Sequence, residues 1–173
     1  MDNSGSIIGI DYIDLKKLST LWEKADIVAA AVNDLVANKG HVDAVFVEEN
    51  LQVFRRGLSS ARTLMTLAKF NGIICYVMRQ NFNIDPISIN VNEARKSVGL
   101  KIISKKNGGD PTKEQVIKWM TTQLHETDFN WPTKILKSGP RKGQTILLPE
   151  CADMADAYVV CRAALVLYTD SKV

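Results

Sequence analysis

Three carboxylates are placed for metal-assisted chemistry. Glu48 closes residues 44–47 (AVFV), a run that reads as a short buried strand. Its carboxylate therefore stands at a C-terminal strand end, the edge where open α/β sheets bind ligands. Asp153 and Asp156 are spaced i, i+3 in the first turns of a last helix read over residues 149–167, which puts both on one face. Hard oxygen donors from a strand end and a helix face suit Mg²⁺ or Mn²⁺. Two such ions can activate a water and steady the leaving oxygen in phosphodiester cleavage. The ordinary alternative is a solvated acidic pair, which the positive end of the helix dipole favours. Glu49 reads as a solvated or capping residue, because neighbours on a strand point to opposite faces.

Other chemistries are poorly supplied. His41 and His125 are the only histidines and lie far apart, against a His-rich metal site or a His-based triad. Cys75, Cys151 and Cys161 form no CxxC pair, against a zinc site or a disulfide framework. No apolar run approaches the roughly 20 residues that span a bilayer. Residues 1–6 carry no basic stretch of the kind that opens a signal peptide. An intracellular, cytoplasmic protein is expected. The net charge of +3 is mild, but the cations are grouped: Arg55-Arg56, Arg95-Lys96, residues 101–106 and residues 134–142. Such groups are either solvated loops or polyanion contacts.

The elements that must position these residues follow from periodicity. Residues 6–15 (SIIGIDYIDL) read as a strand. Thr20 and Glu23 have capping-box spacing at the head of a helix over residues 20–39, which Gly40 stops. A loop follows Glu49. Ser59 or Ser60 then caps a second long helix through about Met78, with Gly72 inside it marking a close approach by another element. Residues 86–91 (PISINV) read as a strand, and Asn92 as the cap of a short helix over residues 93–98 that Gly99 ends. Asp110 as cap and Pro111 at the first helical position start a helix to about Leu124. Residues 127–148 read as polar and irregular, ahead of the last helix. Strands alternating with helices imply an α/β fold with a partly parallel sheet. The 173 residues suit one domain, and no repeat or linker divides them.

This order of elements, with VFVEENL (45–51), NEARKSVG (92–99), PTKEQV (111–116) and CADMADAYVV (151–160), resembles RuvC-type Holliday-junction resolvases over nearly the whole chain from residue 6. The resemblance implies an RNase H-like mixed sheet flanked by helices. It also implies a Mg²⁺- or Mn²⁺-dependent homodimeric endonuclease that resolves four-way DNA junctions in recombination and repair, in bacteria, phages and some large DNA viruses. By that resemblance Glu48, Asp153 and Asp156 are the metal ligands, and Lys113 lies near the scissile phosphate, where a positive charge helps neutralise the transition state. Arg95 and Lys96 contact the DNA backbone, and Arg55 and Arg56 extend the basic surface. Leu51 or Phe54 is the apolar wedge that stacks at the opened junction; a core role fits either as well. The helix from Ser60 to Met78 is the expected dimer interface.

The family also carries an aspartate on its first strand in a Gly-Ile-Asp context. Gly9-Ile10-Asp11 supplies those letters, yet the interval from Asp11 to Glu48 is too short for the family's intervening β-hairpin. Asp2-Asn3-Ser4-Gly5 instead reads as that hairpin's turn. Residues 7–15 then become the third strand, the first two are absent, and residues 1–173 form one N-terminally shortened domain. Either Asp11 completes the site, or one ligand is missing and the chain is a junction-binding relative with impaired catalysis. On the second expectation, metal binding is weak and cleavage low or absent.

Overall fold

Thr20 starts the first helix as its spacing predicts. Its side-chain oxygen accepts the Glu23 N–H at 3.1 Å, and the Glu23 carboxylate accepts the Thr20 N–H at 2.9 Å. These reciprocal bonds satisfy donors that a helix N-terminus leaves open. Helix α1 runs Leu21–Lys39 and ends at Gly40, whose φ of 93° only glycine adopts readily. The computed structural model describes residues 1–49, 61–124 and 129–170. It divides into two units, Ile13–Val91 and Met1–Tyr12 with Asn92–Val173.

The first unit is a strand–helix–strand arrangement with α1 against it. β1 (Phe46–Glu48) pairs in parallel with β2 (Ile87–Ile89), with Glu48 opposite Ile89. Parallel neighbours need a crossover, and α2 (Ala61–Phe82) supplies it while packing on α1. Ala25, Val28, Met78 and Ile89 are buried. The expected caps Ser59 and Ser60 lie outside the described residues. Gly72 marks no close approach among the described residues, where a Cβ would meet nothing within 4 Å.

The second unit is built on α5 (Cys151–Asp170). Cys151, Ala155, Val159 and Ala163 are fully buried, and Ala152, Met154, Tyr158, Val160 and Ala164 nearly so. Helix α4 (Thr112–Gln123) packs on it through Val116 and Met120, both fully buried. The Trp119 and Tyr158 rings meet at 6.0 Å between centroids. Helix α3 (Val91–Ser97) contributes buried Ala94 and stops at Gly99, with φ 75°. Residues 127–148 contain more than irregular chain: β3 (Thr133–Ile135) and β4 (Thr145–Leu147) form an antiparallel hairpin. Its strands are three residues each, too short for a period-2 pattern to stand out.

Residues 6–15 do not form a strand. Asp11 and Asp14 instead accept the N–H groups of Tyr12 and Lys16, at 2.7 and 3.0 Å. Such local side-chain bonds compete with a ladder. The turn read at residues 2–5 does form. The Asp2 carboxylate accepts both the hydroxyl and N–H of Ser4 and the N–H of Ser6. Those bonds, the Ser4 hydroxyl first, hold the Asp2 carboxyl below its ordinary range. Asp110 does not cap α4, because Pro111 takes the cap position and Lys118 takes the Asp110 carboxylate. That partner raises the Lys118 ammonium above its ordinary pKa. Asn92 lies inside α3, which begins at Val91. The chain is thus α/β, and no helix among the described residues is long and apolar enough to cross a membrane.

The capping box makes α1 pH-sensitive in a defined direction. Hydrogen bonds from Thr20 and Ser19 lower the Glu23 carboxyl from its ordinary 4.5. A carboxylate depressed by folding contributes stability above its unfolded value, and that contribution is lost as pH falls through the lower folded value. Thr20→Ala should cost about 1 kcal/mol at pH 7. In urea unfolding, the gap from the parent chain should narrow as the pH falls below 4.5.

Candidate functional site

Helix α5 is buried along most of its length, and its first turns expose few polar side chains. Asp153 is exposed and Asp156 half-buried, between the buried pairs Cys151-Ala152 and Met154-Ala155. Two cations remote in sequence meet them. Arg95 of α3 donates Nη2–H to Asp156 Oδ1 at 2.7 Å, with side-chain exposures of 15% and 20%. Lys113 in the first turn of α4 lies 3.9 Å from Asp153 Oδ1, with exposures of 70% and 76%. Arg95, Lys113, Asp153 and Asp156 therefore share one place. The two pairs differ in kind. The enclosed Arg95–Asp156 pair ties α3 to α5, while the open Lys113–Asp153 pair is screened by water. Arg95 Nε is buried with no hydrogen-bond partner in the described structure.

Glu48 lies in the other unit, exposed at the C-terminal end of β1. Asn71 of α2 donates Nδ2–H to its carbonyl at 3.0 Å and accepts the Cys75 thiol on Oδ1 at 3.5 Å. Glu49 is not merely solvated: its carboxylate accepts Asn90 Nδ2–H at 3.3 Å, and its N–H donates to Ile89 O at 2.9 Å. A groove of about 390 Å³ runs between this strand end and the apolar side chains of Leu67, Phe70 and Ile74. Lys96 is exposed on α3. Leu51, Phe54, Arg55 and Arg56 lie outside the described residues. Asp11 is exposed in irregular chain rather than on a strand.

Two side chains that motif reading left without a role organise these places. Asn71 couples α2 to the Glu48 strand end, and a polar amide inside a long helix was the available signal. Gln115, the glutamine of PTKEQV, clamps the basic segment before α4. It accepts the Ile103 N–H at 2.9 Å and donates to Ile103 O at 2.8 Å and Asp110 O at 2.6 Å. A Cβ at Gly109 would collide with the Ile103 carbonyl, so glycine is required for this approach. The turn of residues 2–5 is held too, because Arg162 of α5 donates to Gly5 O at 3.3 Å.

The donor set decides what these groups can bind. Asp153 and Asp156 offer hard oxygens of the type that Mg²⁺ takes. They are matched by two cations, so the cluster carries no excess negative charge to draw in a divalent ion. Among the described residues, no group of three or more His, Cys, Asp or Glu side chains could hold a metal ion. Burial raises the thiols of Cys75, Cys151 and Cys161, which keeps them protonated and out of nucleophilic or metal chemistry at neutral pH. The chain matches no protein-family model, no curated protein and no solved structure.

The two ion pairs should respond differently to mutation. Asp156→Ala leaves the Arg95 guanidinium enclosed without its counter-charge, and should cost about 2 kcal/mol in denaturant unfolding, given the exposure both groups keep. Arg95→Met with Asp156→Leu should recover most of that loss. Lys113→Ala should change stability by less than about 0.5 kcal/mol. Gln115→Ala should speed hydrogen exchange at the Ile103 amide while leaving Val116, inside α4, protected.

Proposed function

We propose that this chain is a structure-selective DNA endonuclease of the RuvC type, an RNase H-like protein that resolves four-way junctions as a cytoplasmic homodimer by metal-dependent phosphodiester hydrolysis. The observation that carries this reading is the gathering of Arg95, Lys113, Asp153 and Asp156. They come from three separate motifs and meet at the start of α5. The resemblance assigns Glu48, Asp153 and Asp156 to Mg²⁺ or Mn²⁺. The bound ion would activate the attacking water and neutralise charge on the phosphate. The chain's own share is electrostatic. Lys113, mostly exposed, is free to leave Asp153 for a phosphate oxygen, whereas Arg95 positions Asp156.

One observation favours a second reading, junction binding with impaired cleavage. Asp156 is already neutralised by an enclosed guanidinium, so a metal there competes with an existing charge-assisted bond. Weak metal affinity and slow turnover follow, with the cationic DNA surface retained.

A labelled four-way junction separates the two. On the first reading, the purified chain nicks opposing strands in Mg²⁺ or Mn²⁺, and chelation stops cleavage while binding persists. Asp153→Asn and Glu48→Gln should each slow cleavage by about 100-fold or more, the scale on which a group acting on the reacting centre is felt. Junction binding without nicking at any Mn²⁺ concentration selects the second reading. A chain that neither binds nor cuts branched DNA overturns both.

A further inference from the structure

The β3–β4 hairpin plays no part in the site just described, yet it is strongly charged. Residues 131–149 contain Lys134, Lys137, Arg141 and Lys142 and no acidic residue. All four cations are exposed, and none is in an ion pair among the described residues. Elsewhere Arg79, Arg95, Lys113 and Lys118 each have an aspartate. Like charges repel one another, so a hairpin that carries four cations and no acidic residue is suited to an external polyanion.

The tip is shaped as well as charged. Leu136 N–H donates to Gln144 O at 3.0 Å and Gly143 N–H to Leu136 O at 2.8 Å, which extends the ladder beyond the strands. Lys142 N–H donates to Gly139 O at 3.1 Å and Gln144 N–H to Arg141 O at 3.1 Å, closing the loop on itself. Gly139 and Gly143 take φ of 80° and 87°, which this closed loop needs. The register places Thr133 opposite Leu147 and Ile135 opposite Thr145 on one face. That face is open, with Ile135 63% exposed. The result is a narrow two-stranded ribbon with an exposed face and a cationic end.

We infer that the β3–β4 hairpin is a DNA-contacting arm, with Lys137, Arg141 and Lys142 on the phosphates that flank a groove of a duplex arm. The inference rests on the DNA reading above and adds a contact surface to it. A two-stranded ribbon fits the roughly 12 Å major groove of B-form DNA. The deep, narrow major groove of A-form RNA excludes it. Each phosphate neutralised releases a counterion, so the contact has a signature in salt dependence.

The test uses the full chain, a fluorescent four-way junction and a chelator, so that cleavage plays no part. Anisotropy titrations over a range of KCl concentrations compare the parent with K137Q/R141Q/K142Q and with a charge-matched control, K16Q/K17Q/K24Q. The hairpin variant should bind about tenfold or more weakly, and its slope of log affinity against log salt should be shallower by about 2 to 3. The control should keep the parent slope. Unchanged thermal midpoints show that the hairpin variant is folded. Parent binding with an unaltered hairpin variant overturns the inference and leaves the DNA reading standing, as does an equal loss in both variants. Equal affinity for duplex RNA also overturns it. No binding of the parent to any DNA overturns the DNA reading and the arm together.

Discussion

Helix Cys151–Asp170 sets the terms for the unit that contains it. Ala152, Ala155, Ala163 and Ala164 are each no more than 4% exposed, so their small side chains let neighbouring elements come close along much of its length. Close packing of this kind tolerates little change of volume. A helix buried on so many sides has few places for polar groups. Asp153 and Asp156 occupy the exception near its start, and Arg162 another, where it holds the turn at Gly5. The charged cluster is therefore a consequence of the packing: carboxylates stand where α5 reaches solvent, Lys113 arrives there because α4 packs on α5, and Arg95 of α3 reaches Asp156 through one ion pair.

The cluster holds two ion pairs of different kinds. Arg95 and Asp156 lose most of their hydration, and one charge-assisted bond offsets part of that loss and ties α3 to α5. Lys113 and Asp153 keep most of theirs and remain available to a ligand. The same division recurs around the basic segment before α4. Gln115 fixes its backbone with three bonds while Lys101, Lys105 and Lys106 stay exposed. A fixed backbone carrying solvated cations lowers the ordering entropy that a polyanion contact must overcome. In the proposed function, these features supply the binding surface, and the open pair supplies the group nearest the chemistry.

Helix identity was legible because it rests on local signals. The Thr20–Glu23 box, the stops at Gly40 and Gly99, and the 3.6-residue apolar periods all act within a few residues, and α1, α2, α4 and α5 appear where they point. The strands at Glu48 and Pro86 were legible as short apolar runs, and their parallel pairing follows from the helix between them. Residues 6–15 have the same composition but not the structure, because a strand needs a neighbour and Asp11 and Asp14 offer the backbone local bonds instead. The β3–β4 hairpin was hidden for the converse reason: its turn is conspicuous, but strands of three residues show no alternation.

Composition and spacing by themselves determined the α/β class, the positions of the long helices, the acidic pair on one helix face and the grouping of cations. They also determined which residues could carry charge or bind a metal, since side-chain type and sequence period are properties of the chain alone. Partnership was decided only by the tertiary structure. Arg95 and Asp156 are 61 positions apart, and nothing local says that one enclosed bond joins them. That Gln115 clamps Ile103, that Asn71 holds the Glu48 strand end, and that Lys118 takes Asp110 from its cap are likewise outcomes of packing. Such bonds form when folding removes water from both partners together, and that event depends on where whole elements come to rest.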